Sequence, residues 1–172
     1  MAEAHRLGNE LFKKKDYPGA IEAYSRALIQ NPDGEDSHIY LANRSACYAK
    51  QEEWNLALSD ATQCVIKNPH YARGYSRKGL AEFHLKNHQH AMETYEKGLA
   101  IAPDDVAMQD GLSSVMEMRY HILQGMIRDE IAKRNRGEGL QDDTPGHVFE
   151  ERQAKVMCVV QNMNNCDVVE RD

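Results

Sequence analysis

Ala20-Ile21-Glu22-Ala23-Tyr24-Ser25-Arg26-Ala27-Leu28-Ile29-Gln30-Asn31-Pro32 is the stretch that decides the fold, because its frame returns twice. Ala20, Tyr24, Ala27 and Pro32 are matched by Ala57, Ala61, Cys64 and Pro69, and again by Ala91, Tyr95, Gly98 and Pro103. Residues three and four apart share one face of a helix, and a proline ends the helix that precedes it. The small residues in the frame let a second helix approach closely. The prolines stand 37 and 34 residues apart, so one unit recurs, with a three-residue insertion near Gly34 in the first interval.

The same spacing governs the segment before each frame. Ala4, Leu7, Gly8 and Leu11 are followed at matching positions by Leu41, Arg44, Ser45 and Tyr48, and more weakly by Tyr75, Lys78, Gly79 and Glu82. This 34-residue pattern of large, leucine, small and aromatic slots resembles the tetratricopeptide (TPR) repeat. It implies an all-α fold: three TPR helix-turn-helix repeats plus a long C-terminal capping helix, wound as a right-handed superhelical solenoid. The expected helices cover 2–15, 18–30, 37–50, 54–67, 71–84 and 88–101. A seventh starts after Asp105 and runs to about Arg134, with Leu112, Val115, Met116, Ile122, Leu123, Met126 and Ile127 recurring at three and four residues. The expected organisation is three repeats over 1–103 (about 1–34, 38–71 and 72–105), a capping helix over 104–134, and a linker and tail over 135–172.

Composition narrows the function. The net charge of −6 argues against a general nucleic-acid binder, which carries a basic excess. No apolar run approaches the ~18 residues of a membrane helix, and the first ten residues do not read as a signal peptide. Cys47, Cys64, Cys158 and Cys166 are spaced 17, 94 and 8 apart, which fits no zinc template. Free thiols in a reducing compartment and a cytoplasmic location are expected.

Within that acidic chain one helix face is basic. At 100° per residue, repeat positions 4, 7, 8 and 11 of each first helix cluster on a packing face, while positions 6, 9 and 13 fall opposite. In a solenoid that opposite face lines the concave groove. It carries Asn9 and Lys13 with His5 beside them, then Asn43 and Lys50, then Arg73 and Arg77 one turn apart, and no acid. Arginine binds a carboxylate bidentately, and asparagine donates to one without adding charge. The expected ligand is extended and anionic.

Gly8-Asn9, Asn43-Arg44-Ser45-Ala46, Tyr48-Ala49-Lys50, Arg73-Gly74-Tyr75-Ser76-Arg77-Lys78 and Asp110-Gly111-Leu112 resemble the first TPR domain of the Hsp-organising (stress-inducible) co-chaperone family over about residues 1–118. The resemblance implies a carboxylate clamp for the terminal Glu-Glu-Val-Asp of heat-shock protein 70 or 90, built from His5, Asn9, Asn43, Arg73 and Arg77. Ala46, Ala49 and Lys50 match residues that shape the pocket beside it. His5 replaces a lysine of the family, with Arg6 adjacent, whereas Arg73 replaces a second lysine and keeps its charge. The resemblance to a first TPR domain leans towards heat-shock protein 70.

His84, His88 and His90 fall at a helix turn and read as surface histidines, with no metal site expected. Trp54, at the repeat position of Tyr17, reads as packing at a helix start. No glycine-rich phosphate loop, His-Glu-x-x-His or Gly-x-Ser-x-Gly motif occurs, so neither an enzyme nor a cofactor is expected. The remaining alternatives are the docking half of a larger enzyme (a phosphatase, prolyl isomerase or ubiquitin ligase) and a TPR scaffold for internal peptides.

Overall fold

Lys15, Glu52 and Lys86 are the non-glycine residues with positive φ among the described residues, at 63°, 61° and 62°. They stand 37 and 34 residues apart, in step with the repeat. The computed structural model describes residues 2–136. Its helices are α1 (Ala2–Lys13), α2 (Tyr17–Gln30), α3 (Ser37–Lys50), α4 (Trp54–Lys67), α5 (Ala72–His84), α6 (His88–Ile101) and α7 (Val106–Asn135). The three left-handed residues end α1, α3 and α5. At each end two backbone amides turn back onto the helix: Lys15 to Phe12 and Asp16 to Leu11, Glu52 to Ala49 and Glu53 to Tyr48, Lys86 to Phe83 and Asn87 to Glu82. This is the Schellman termination, and it satisfies carbonyls the helix end leaves open. In α2, Asp16 accepts a hydrogen bond from the Gly19 amide at 3.0 Å, and Pro18 sits in the first turn, where its missing N–H costs nothing.

No strand occurs among the described residues, and the helix bounds lie within two residues of expectation. The correction at α1 is physical: the expected helix includes Lys15, which instead turns left-handed beyond the helix end. The expected linker and tail over 135–172 fall, from residue 137 onward, outside the described residues.

Each first helix packs on its own second helix, each second helix on the next first helix, and α3 also meets α5. The contact within a hairpin is keyed. A Cβ on Gly8 would lie 2.6 Å from the Tyr24 ring, and one on Gly79 would lie 2.6 Å from the Tyr95 ring. Glycine is required there because the tyrosine ring occupies the volume of a side chain. In the middle hairpin the small partner is Ser45 and the frame holds Ala61 in place of tyrosine; the Ser45 hydroxyl donates to the Ala57 carbonyl at 2.8 Å. Tyr95 also meets the next helix, where a Cβ on Gly111 would fall 2.5 Å from its ring.

Arg44 ties three helices together. Its Nε and Nη2 donate to the two Asp60 oxygens at 2.7 Å each, and Nη1 donates to Ser25 Oγ at 2.8 Å. Asp60 is buried, and removing one partner of such a pair costs about 3–5 kcal/mol. Leu7, at the matching position of α1, has no described helix before it and is 42% exposed. At that position in α5, Lys78 lies 3.6 Å from Glu82, a buried carboxylate whose Oε2 has no partner.

Compactness divides the chain after Arg119. In the first unit, Met108 and Val115 of α7 are buried with Ala91 and Tyr95, and Leu112 packs against them. From Tyr120 onward α7 leaves Ile122, Met126 and Ile131 exposed, although the helical spacing assigns Ile122 and Met126 to a covering face. Among the described residues no helix is long and apolar enough to cross a membrane.

Candidate functional site

The residues singled out on the first-helix face fall into two adjoining groups. The first joins α1, α2 and α3. Asn9 Nδ2 lies 3.2 Å from His5 Nε2, and Asn43 Nδ2 lies 3.4 Å from the same nitrogen. Asn43 Nδ2 also donates to Asn9 Oδ1 at 3.3 Å, and that oxygen accepts from the Tyr24 hydroxyl at 2.8 Å. The His5 ring packs 5.0 Å from that of Tyr40 and 6.2 Å from that of Tyr24. Burial pushes the Tyr24 phenol up to about 12, so at neutral pH its hydroxyl keeps the proton it donates to Asn9.

The second group surrounds a recess of about 330 Å³ lined by Ala46, Ala49, Lys50 and Arg77, together with Phe12, Trp54, Leu80 and His84. Alanines at 46 and 49 leave the volume open. The Arg77 guanidinium is half-buried on α5, and its Nε is closed off from solvent without a hydrogen-bond partner. Burial, and next the charge of neighbouring Arg73, hold its pKa below the ordinary arginine value. Arg73 itself is exposed. Cys47 links the groups: its thiol packs with Tyr24, is pushed up to about 11 by burial, and feels the Arg77 charge.

All eight residues singled out therefore lie on adjoining first helices, with His5, Asn9 and Asn43 in one hydrogen-bonded cluster and Ala46, Ala49, Lys50 and Arg77 on one recess. The sequence reading missed the rest of the wall. Leu80 and His84 occupy repeat positions 9 and 13 of α5, so carrying the angular argument from Ala46 and Lys50 forward by 34 residues reaches both. Trp54, read as plain packing, stacks flat on His84 with ring centroids 3.8 Å apart and 3° between planes. Of the three histidines read as surface groups, His84 makes that stack and His88 is half-buried against Phe83, their ring centroids 5.6 Å apart. Among the described residues no three metal-ligating side chains gather at one point.

Two family models match the repeat region: one described as TPR repeat over residues 8–43, and one described as Tetratricopeptide repeat over residues 48–106. The crystal structure of the Sgt2 TPR domain from Aspergillus fumigatus is 30% identical, covers 84% of this chain and 90% of its own, and superposes with a TM-score of 0.62. The chain belongs to the tetratricopeptide repeat family. Among TPR proteins it is similar to the Hsp70-Hsp90 organizing protein of Triticum aestivum, at 36% identity over 155 residues. That match covers 90% of this chain and 23% of the relative, so the chain spans about a quarter of that relative's length. It is also similar to the first TPR of Spaghetti (RPAP3) bound to the HSP90 peptide SRMEEVD, at 26% identity and a TM-score of 0.66, covering 69% of this chain and 92% of that one.

Proposed function

We propose that this TPR chain is a peptide-binding co-chaperone module that holds the C-terminal Glu-Glu-Val-Asp tail of heat-shock protein 70 or heat-shock protein 90. The observation that carries the reading is Arg77: a half-buried guanidinium with a partnerless Nε, pressed by a second arginine, and linked through Cys47 to the cluster that holds the two asparagine amides. A group in that state is stabilised by an anion. Two carboxylates close together, the last side chain and the chain end, fit a seat of two arginines and two amides. The recess walled by Ala46, Ala49, Trp54 and Leu80 accommodates an apolar side chain of the same peptide, with Lys50 at its rim. The peptide bound in the Spaghetti (RPAP3) structure, SRMEEVD, ends in Glu-Glu-Val-Asp, which is the chemistry proposed here.

In this reading the module is a holder rather than an enzyme, acts in the cytoplasm, and consists of three repeats over 1–103 capped by 104–134. The terminal carboxylate is the discriminating feature. Calorimetry compares free-acid and C-terminally amidated peptides ending in Glu-Glu-Val-Asp. Charge-assisted hydrogen bonds contribute ~1.5–3 kcal/mol each, and ~1.4 kcal/mol is tenfold in affinity. Arg77→Ala is therefore expected to weaken binding by about ten- to a hundredfold, Asn43→Ala by less, and amidation to reproduce their loss. The effects combine less than additively, because they share one target. Equal affinity for the amidated and free-acid peptides would replace this reading with a scaffold for internal peptides.

A further inference from the structure

What His5 does in the clamp proposed above is set by its hydrogen bonds, and the inference drawn from them rests on that clamp. An amide nitrogen only donates hydrogen bonds. Asn9 presents its nitrogen to His5 because its oxygen is engaged by the Tyr24 hydroxyl and by Asn43. With the nitrogens of Asn9 and Asn43 3.2 and 3.4 Å from His5 Nε2, that ring nitrogen is the acceptor. The imidazole is then neutral, with its proton on Nδ1. The two amides assigned to the ligand's carboxylate thus already donate to a lone pair lying between them.

We propose that His5 Nε2 occupies the carboxylate seat of the free protein, so that the peptide binds by displacing the imidazole. His5 is in this sense an internal competitor rather than a weak substitute for a cation. The geometry favours this over a charge role. A ring protonated at Nε2 would point a proton at two amide donors, and among the described residues the contacts of the ring on neighbouring helices are the phenols Tyr24 on α2 and Tyr40 on α3. Tyr40 bonds to Asp36 at the start of α3. On its own helix, Arg6 lies towards Glu10 at 3.9 Å.

The test is calorimetry at pH 8 on the full chain, with a free-acid peptide ending in Glu-Glu-Val-Asp. Removing a competitor that makes up to two ordinary hydrogen bonds is expected to tighten binding about three- to tenfold in His5→Ala, and further in His5→Lys, which donates and cannot accept. Asn43→Ala moves in the opposite direction. Nitrogen-detected NMR of the wild-type imidazole supplies a second readout that needs no substitution: Nε2 is unprotonated in the free protein, and its signal shifts when peptide is added. Weaker or unchanged binding by His5→Ala, or an Nε2 already protonated in the free protein, overturns the proposal while the clamp stands, provided the amidated peptide still binds poorly. An amidated peptide that binds as well as the free acid removes the clamp reading and this inference with it.

Discussion

At the scale of single residues, the chain keeps charges where packing alone would place apolar groups. Glu82 sits at the repeat position of Leu11 and Tyr48, buried, with one oxygen near Lys78 and the other without a partner. A carboxylate in that state loses hydration that a single 3.6 Å contact does not restore. Replacing both partners, Lys78→Met with Glu82→Leu, is expected to stabilise the domain by about 1–2 kcal/mol, read as a shift of the urea midpoint at constant slope. A lower midpoint would mean that Lys78 and Glu82 hold the hairpin together. That the candidate residues share one side of the first helices was legible in the sequence, because helical geometry puts His5, Asn9, Asn43, Arg73 and Arg77 near one angle. The part played by Tyr24 was not, because it comes from a second helix: its spacing marks a packing anchor, and only the fold brings its hydroxyl to Asn9.

At the scale of elements, the helices were legible and their ends less so. Glycine is the usual sign of a Schellman end, and here lysine or glutamate takes its place, so nothing local marks the stop of α1 at Lys13. A non-glycine residue in the left-handed region carries about 1–2 kcal/mol of backbone strain, part of which glycine returns as unfolded-chain entropy. Lys15→Gly, Glu52→Gly and Lys86→Gly are each expected to add about 0.5–1 kcal/mol of stability. The three add together because they sit on separate hairpins. Thermal melts of the single and triple variants check this, and a triple variant no more stable than wild type would show that the lysine and glutamate side chains offset the strain.

At the scale of the whole molecule, the core is built on groups that resist ionisation. Burial raises the thiols of Cys47 to about 11 and Cys64 to about 12, raises Tyr24 to about 12, and raises the Tyr95 phenol as well. In the unfolded chain the thiols titrate near 9.0 and the phenols near 10.0. The folded state therefore holds protons that the unfolded state releases. Stability from this source is complete below about pH 9 and is lost as pH climbs towards 12. Each group contributes ~1.4 kcal/mol for every tenfold difference in proton affinity between the folded and unfolded chain. Circular dichroism melts should show Tm falling steeply from pH 8 to 11, and less steeply in Tyr95→Phe. A Tm constant over that range would contradict the buried state of these groups. The all-α, hairpin-by-hairpin order was legible because its period is written in alanine, tyrosine and proline. The exposed face of α7 beyond Tyr120 was not, because a three-and-four pattern announces an apolar stripe without saying whether anything lies against it.

The pairing of Gly8 with Tyr24 and Gly79 with Tyr95, against Ser45 with Ala61, bears on ancestry. It makes the hairpin, and not the helix, the heritable part. A crossover in the loops after Pro32 or Pro69 hands over a matched pair intact. One at Glu52 that exchanges the middle hairpin with either neighbour mates the serine-bearing helix to a tyrosine-bearing one and drives a Cβ into a ring. Gene duplication and shuffling in such a lineage are thereby channelled to the loops between hairpins, and the break points left in its genes should cluster there.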